Sequence, residues 1–395
     1  MTTANVLSGV RVLDFARYIA GPYCASLLGF LGADVIRIEK PGEGGEDRYI
    51  GPVSADASAV FLETNCNKRS LTLDLKHPAA KDVVRRLVSQ ADVVIANFPP
   101  ARLKKMGLDY DTLRAIKPDI ILTTQTAFGH QGPWADRSGF DGLGQVMSGS
   151  AWLSGTPGNP ARSATPFADY STAVLGAFGT LAALYQRRAT GEGQHVQASL
   201  LGSALAAFSP TLIEQGLLGI NRQPTGNRGQ TAAPVDIFKT RDGHIITQVL
   251  GKGLFGNMAR AIGATHWLDN PAYGNDIARG EKRDEICAEV AAWAADRTNA
   301  EAIDILAAAG VPSGPVLNVA DALEHPQTRA MGFLGSVEYP GCERPAPIPR
   351  LPLDFSSITP QQTRPPRIGE HTDAVLTEFG FDAASIAALR AAGAV

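Results

Sequence analysis

The chain reads as an α/β protein built on a doubly wound, Rossmann-like parallel sheet, and three observations carry that reading. Short β-branched runs alternate with helical segments through the first hundred residues. The 395 residues are 44% hydrophobic and 19% charged, with 41 glycines and a net charge of −3, which is a globular composition and not a disordered, fibrous or membrane one. Near residue 221 the texture changes to the polar, Gly-, Pro- and Asn-rich stretch NRQPTGNRGQTAAP, after which a separate hairpin pattern begins. A chain of this length has room for two domains.

The elements follow in order. VRVLDF, ADVIRIE, SLTLDL and ADVVIANF read as strands, with helices over PYCASLLGFLG and PAAKDVVRRLVSQ between them, and DIILTTQTAFG at 119–129 continues the sheet. Such sheets bind ligands at the carboxyl ends of their strands. The first turn reads ARYIAGPYC in place of GxGxxG, so the dinucleotide fingerprint is missing and a nicotinamide oxidoreductase is disfavoured. Over 170–188, YSTAVLGAFGTLAALYQRR is apolar nearly all round, the pattern of a buried helix, with Gly176 and Gly179 placed for close packing. It ends on Arg187 and Arg188 with Gly191 just beyond, as the helix dipole and a C-terminal stop require. The strand QHVQASL and a helical stretch to residue 219 come next. VDIFKT and HIITQVL, joined by Arg241-Asp242-Gly243, then open a small α+β domain. Residues 333–368 are proline-dense and extended, and the terminal helix DAASIAALRAAGA needs docking to stay ordered. The expected organisation is a large domain over 1–205, a linker over 206–231, a small domain over 232–315, and a return segment and large-domain C-terminal part over 316–395.

Composition also narrows the partners. Net charge gives no reason to expect nucleic acid or an anionic membrane surface. Cys24, Cys66, Cys287 and Cys342 are scattered without CxxC spacing, which disfavours disulfides and zinc. The start MTTANVLSGVRVLDF lacks signal-peptide regions, and no run of 18 apolar residues is present, so a cytoplasmic protein is expected. The seven histidines show no HxxxH or HExxH spacing, so no metal is expected, and GxSxG is absent.

Two features could carry chemistry. Asp169 opens the apolar helix, where an Asp serves as an N-cap. The same position suits a nucleophile: a carboxylate of ordinary pKa about 3.9 is ionised at pH 7 and can attack an activated acyl carbon, with helix N–H groups as oxyanion donors. The second feature is a basic excess between 68 and 117, where Lys68, Arg69, Lys76, Lys81, Arg85, Arg86, Arg102, Lys104, Lys105, Arg114 and Lys117 outnumber the acids Asp74, Asp82, Asp92, Asp109 and Asp111. A phosphate-bearing small molecule would call for such an excess. Lys81, Arg85 and Arg86 sit on one helix, as a solvated face would; Lys68, Arg69, Lys76 and Lys105 fall near strand ends or in loops.

LDFARYIAGPYCASLLGFLGADVIRIEKPG, NCNKRSLTLDLK, ADVVIANFPPARLKKMG, GFDGLGQVMSG, FADY with LAALYQRRATGEGQHVQASL, and AGVPSGPVLNVADAL occur in that order along nearly the whole chain. Together they resemble the class III CoA-transferases, the CaiB/BaiF family, which includes formyl-CoA transferase, carnitine CoA-transferase and alpha-methylacyl-CoA racemase. The resemblance implies a large domain made from both chain ends, a small inserted domain, and an interlocked homodimer. It implies an enzyme that moves CoA from an acyl-CoA thioester to a carboxylic acid acceptor, with CoA as substrate and no resident cofactor. Asp169 matches the family's catalytic aspartate, which passes through a mixed anhydride to an aspartyl-CoA thioester. A lid that excludes water is expected, and its counterpart GNRGQTAA at 226–233 has fewer glycines than the formyl-CoA transferase loop.

Carried over by motif, the CoA-contacting positions are Tyr18, Ala20, Lys40, Leu73, Lys76, Asn97, Phe98, Lys105 and Met106. Lys40 and Lys105 replace arginines of formyl-CoA transferase, keeping charge but losing bidentate geometry. Ile19 stands where that enzyme has a glutamine, which argues against oxalate or formate. Family racemases carry a His where this chain has Phe140, between Gly139 and Asp141, so the two-base racemisation lacks one member. A racemase-like isomerase is the alternative, and Asp141 is either a support for catalysis or a loop and cap residue.

Overall fold

The structure, a computed structural model, describes residues 5–54 and 56–395. The chain divides into two compact units. The larger gathers the chain up to Ser148, then Ser163–Ser209 and Pro326–Val395; the smaller gathers Gly149–Arg162 and Pro210–His325. Both chain ends therefore build the larger unit. The smaller unit begins at Pro210, inside the stretch 206–231 that the sequence pattern sets apart as a linker, and it takes up 149–162 as well. Much of that stretch is the helix Ser209–Leu218.

In the larger unit, β1 (Arg11–Asp14), β2 (Asp34–Glu39), β3 (Lys68–Thr72), β4 (Val93–Ala96), β5 (Ile121–Thr126) and β6 (His195–Ser199) form one sheet in the order β3-β2-β1-β4-β5-β6. Every pairing is parallel. Successive residues feed opposite faces, and both faces are covered: Leu13, Ile36, Val94 and Leu122 enter one core, while Val12, Val35, Val93 and Ile121 enter the other. This double burial explains why the strands read as continuous apolar runs. The first core also takes Val375, Leu376, Phe379 and Ile386, so the C-terminal helices Thr372–Glu378 and Ala383–Ala391 dock there. Leu334–Val337 (β10) and Ala346–Pro349 (β11) pair antiparallel within the proline-dense return segment.

The helix Phe167–Thr190 packs its Ala173, Ala177, Ala183 and Leu184 into the second core, beside Ala20–Phe30. Gly176 and Gly179 do face close neighbours, Gln125 and Val196 respectively. The helix is not buried all round: Val174, Leu175, Phe178 and Tyr185 are exposed, Phe178 at 69% and Tyr185 at 79%. At 24 residues it is long and apolar enough to cross a bilayer, yet half of its most apolar window lies inside the protein.

A fully buried ion cluster locks the far side of the sheet. Arg48 clasps both Glu39 carboxylate oxygens at 2.8 and 2.7 Å, Arg37 stands 3.1 Å from Glu39, and Arg37 reaches Asp47 at 2.6 Å. Arg48 also donates to the Pro366 carbonyl at 3.1 Å, which ties the two ends of the chain together.

The smaller unit carries β7 (Val235–Lys239), β8 (His244–Gln248) and β9 (Ser313–Pro315) as an antiparallel sheet, around a core in which Phe255 stacks on Trp267 at 5.2 Å. The polar stretch before β7 reads as a free loop in sequence but is cross-linked within this unit. Arg222 pairs with Glu214, Arg228 with Asp236 and Asp284, and Ala232 and Ala233 are buried.

Burial alone would push the Glu39 carboxyl up, but the charges of Arg37 and Arg48 overcome it and hold the group well below the usual carboxylate range. Its stabilisation is therefore present above the unfolded pKa of about 4.3 and is lost as the pH falls below it. Glu39→Gln, which leaves two buried guanidiniums short of a counter-charge, is expected to cost about 3–5 kcal/mol by urea denaturation at pH 7.

Candidate active site

The strand order reverses between β1 and β4, and the loops that follow these two strands part there. The loop after β1 turns sharply: Tyr18 has φ 65°, a left-handed conformation that a bulky side chain rarely adopts. Asn97, just beyond β4, holds it there. Its Oδ1 accepts from the Arg17 N–H at 2.8 Å and its Nδ2 donates to the Arg17 carbonyl at 2.6 Å. Between the loops lies a cavity lined by Tyr18, Ala20, Asn97, Phe98, Phe140 and Asp169, together with Arg17, Arg102, Gln125 and Arg137. Phe140 meets Tyr18 edge-to-face at 5.0 Å, forming an aromatic wall.

Asp169 lies in the first turn of the 167–190 helix and is not its cap. The helix starts after Pro166 with no side-chain cap of its own. Instead Asp141, from the first turn of the helix Asp141–Met147, accepts the N–H groups of Ala168 at 2.8 Å and Asp169 at 3.2 Å on one oxygen, while Gln145 donates to the other. These two N–H groups are consequently spent on Asp141 and do not serve as the oxyanion donors that the sequence pattern offers. Tyr170 anchors the same turn through its hydroxyl, which donates to Glu63 at 2.5 Å.

Asp169 is 9% exposed. Burial, reinforced by the negative charge of Asp141, pushes its carboxyl up to about 7. The group is thus poised between acid and carboxylate near neutrality rather than fully ionised, as its ordinary pKa would have it.

The motif-derived positions divide. Tyr18, Ala20, Asn97, Phe98, Phe140 and Asp169 line the cavity, and Asp141 stands behind it. Lys40, Leu73, Lys76, Lys105 and Met106 do not line it. Lys40 follows β2 and pairs with Glu43 at 2.6 Å, and Lys76 and Lys105 are exposed. Leu73, directly after β3, is a core residue, and Met106 packs against the same core. Two further basic candidates are structural. Lys68 is buried and bonds Asp14, the Pro22 carbonyl and Asn65, and Arg69 pairs with Asp34 and Glu378.

Arg17, Arg102 and Arg137 are the cationic lining that motif matching leaves out. Arg17 lies next to Tyr18, and its guanidinium is held by the Phe15, Ala16 and Ile38 carbonyls and by Glu46. Arg102 and Arg137 stack on Phe98 and Trp134 at 4.4 and 4.1 Å and form no ion pair among the described residues. Arg102, on the helix Pro100–Met106 that follows β4, belongs to the basic excess over 68–117, whereas Arg17 and Arg137 lie in loops and carry no such signal. No histidine lines the cavity. His130 and His195, far apart in sequence, meet instead on Thr124 Oγ1 at 2.8 and 2.9 Å.

A parallel α/β sheet with a buried carboxylate at its switch point, framed by Arg17, which pairs with Glu46, and by Arg102 and Arg137, which have no carboxylate partner among the described residues, suits an enzyme that acts on an anionic small molecule. The chain matches CoA-transferase family III over residues 7–372, and it belongs to that family. It is 35% identical to the succinate–glutarate CoA-transferase of Agrobacterium fabrum, over 94% of this chain and 95% of that one. It is 33% identical to the succinyl-CoA–L-malate CoA-transferase beta subunit of Chloroflexus aurantiacus, over 96% and 95%. Among solved structures, a CaiB/BaiF family protein from Brucella suis superposes with a TM-score of 0.83 at 33% identity, covering 95% of this chain and all of the other. The protein is a CoA-transferase.

The environment of Asp169 sets a signed stability effect. A raised folded pKa means that the ionised form is penalised, so the cost is absent below the unfolded pKa of about 3.9 and fully present above about 7. Asp169→Asn is expected to raise stability by on the order of 1–4 kcal/mol at pH 8 and by little at pH 3.5 in denaturant titrations. Asp141→Ala, which strips the helix cap, is expected to lower stability by about 1–2 kcal/mol.

Proposed function

We propose that this enzyme transfers CoA between an acyl-CoA and a free carboxylic acid through a thioester on Asp169. The observation that carries the reading is the placement of Asp169, a nearly buried carboxyl of raised pKa at the switch-point cavity, with Arg102 and Arg137 in the same lining and without a carboxylate partner among the described residues. The Asp169 carboxylate attacks the thioester carbonyl, and the CoA thiolate leaves to give a mixed anhydride. The thiolate then attacks the Asp169 carbonyl, releasing the donor acid and leaving CoA on Asp169. The acceptor carboxylate repeats these steps in reverse, so no water is consumed and the thioester bond is conserved. A poorly solvated carboxylate serves as nucleophile once it is ionised. Desolvation also keeps water from the anhydride.

The cavity of about 200 Å³ suits a short acyl group better than a whole CoA. CoA would run outward along the carboxyl edge of the sheet, its phosphates near Arg102 and Arg137 and toward Lys40, Lys76 and Lys105. CoA enters as substrate, and the reaction requires no resident cofactor. One relative above is named for succinyl-CoA and L-malate and another for succinate and glutarate, so succinyl-CoA is the first donor to try. The racemase alternative has no support in the cavity lining, where Phe140 packs on Tyr18 and no imidazole is available as the second base. The exposed face of Val174, Leu175, Phe178 and Tyr185 on the 167–190 helix supports the homodimer reading, since a second copy would cover it.

Incubation with succinyl-CoA followed by hydroxylamine is expected to mark Asp169, as read by peptide mass spectrometry, and Asp169→Ala is expected to abolish exchange while remaining folded. An active enzyme with Asp169 unmarked would overturn the mechanism. The kcat/KM profile is expected to fall tenfold per unit as the pH drops below about 7, and Asp141→Asn is expected to move that limb to lower pH. Arg102→Ala and Arg137→Ala are each expected to raise KM for the CoA thioester about tenfold, with a weakened salt dependence.

A further inference from the structure

Lys68 opens β3, and its side chain is fully buried. The ammonium has three N–H donors and each is spent: on Asp14 Oδ2 at 2.7 Å, on the Pro22 carbonyl at 2.7 Å and on Asn65 Oδ1 at 2.9 Å. Two of these acceptors bracket one turn. Asp14 ends β1 and Pro22 lies in the first turn of the helix Ala20–Phe30, so a single buried cation holds both ends of residues 15–21. Those residues supply Arg17, Tyr18 and Ala20 to the cavity, which Lys68 itself does not line.

The turn needs a fastener. Tyr18 is held left-handed at φ 65°, and such backbone persists only where its surroundings over-determine it. Asp14 serves twice, since its other oxygen accepts the Ala16 N–H at 2.9 Å. The two limbs of the turn touch: a Cβ on Gly21 would collide with the Ala16 Cβ. Asn65, the third acceptor, also accepts from Arg37 at 2.7 Å and donates to Asp47 at 3.2 Å, so the ammonium joins the turn to the buried ion cluster of the sheet. A buried ion pair adds little stability over an apolar pair of the same shape; what it adds is a fixed geometry. We propose that Lys68 is a positioning residue for CoA binding, which holds the 15–21 turn in the shape that presents Arg17, Tyr18 and Ala20 to the thioester. This rests on the CoA-transfer reading above.

The test is CoA exchange from succinyl-CoA into glutarate with the succinyl-CoA concentration varied, together with calorimetric titration of CoA itself. The double variant Lys68→Met with Asp14→Asn removes both charges at nearly constant volume, and circular dichroism melts establish that it is folded. It is expected to raise KM for succinyl-CoA and Kd for CoA about tenfold, while kcat at saturation changes less than about threefold and Asp169 is still marked. A loss of folded protein alone would lower kcat and leave KM where it was. Asp14→Asn by itself keeps the ammonium but weakens its grip; it is expected to raise KM about threefold, and it carries the test if the double variant does not fold. Arg69→Met, which removes the ion pairs on the opposite face of β3, is expected to lower the melting temperature with KM unchanged. KM and Kd within about twofold of wild type in the folded variants, or an equal rise in Arg69→Met, overturns the proposal. A wild-type enzyme that binds CoA but leaves Asp169 unmarked and exchanges no acid overturns the CoA-transfer mechanism alone, since Kd still reads the role of Lys68. A wild-type enzyme that does not bind CoA overturns both.

Discussion

The carboxylate of Asp141, set on the N–H groups of Ala168 and Asp169, is the contact on which the site depends. A helix N-terminus must have its orphan donors satisfied, and Pro166 brings no side chain that can do so. Because Asp141 takes that duty, the carboxyl of Asp169 is released from it and faces the cavity. The same negative charge, added to burial, holds Asp169 near neutrality in its titration. One interaction thus orients the helix, frees the reactive group and adjusts its proton affinity. The cost is that those backbone donors are no longer available for an oxyanion.

The rest of the site follows from the sheet. Reversal of strand order between β1 and β4 opens a crevice that side chains from β5 and the 167–190 helix then line. The Tyr18 backbone is held in its left-handed conformation by the two bonds between Asn97 and the Arg17 backbone, so the aromatic wall against Phe140 is built on a braced turn. Further along the sheet, Glu39 with its two arginines and the Pro366 carbonyl binds the first and last segments of the chain into one body.

The parallel strands were legible because burial on both faces leaves uninterrupted apolar runs, as in ADVVIANF and ADVIRIE. The β10–β11 hairpin was not: Pro347 and Pro349 disguise a short two-stranded ribbon as irregular chain. The 167–190 helix was legible as a helix, but its small and apolar residues give the same pattern whether a face meets the sheet or meets solvent. Phe178 and Tyr185 prove to be outward. Among the basic residues, charge alone could not distinguish Lys68, consumed by Asp14 and Asn65, from Arg102, which stacks on Phe98 beside the cavity.

The sequence by itself determined the α/β class, the order of the sheet strands along the chain, the family, and Asp169 as the residue to watch, since these rest on local periodicity and on motifs contiguous in the chain. Tertiary structure alone decided which carboxylate caps and which one faces the cavity, for Asp141 and Asp169 are separated by a loop and meet only when two helices pack. It also decided that Lys68 is structural and that Arg137 joins the site. Hydrogen bonding and desolvation act between groups brought together by the fold, and no spacing along the chain encodes them.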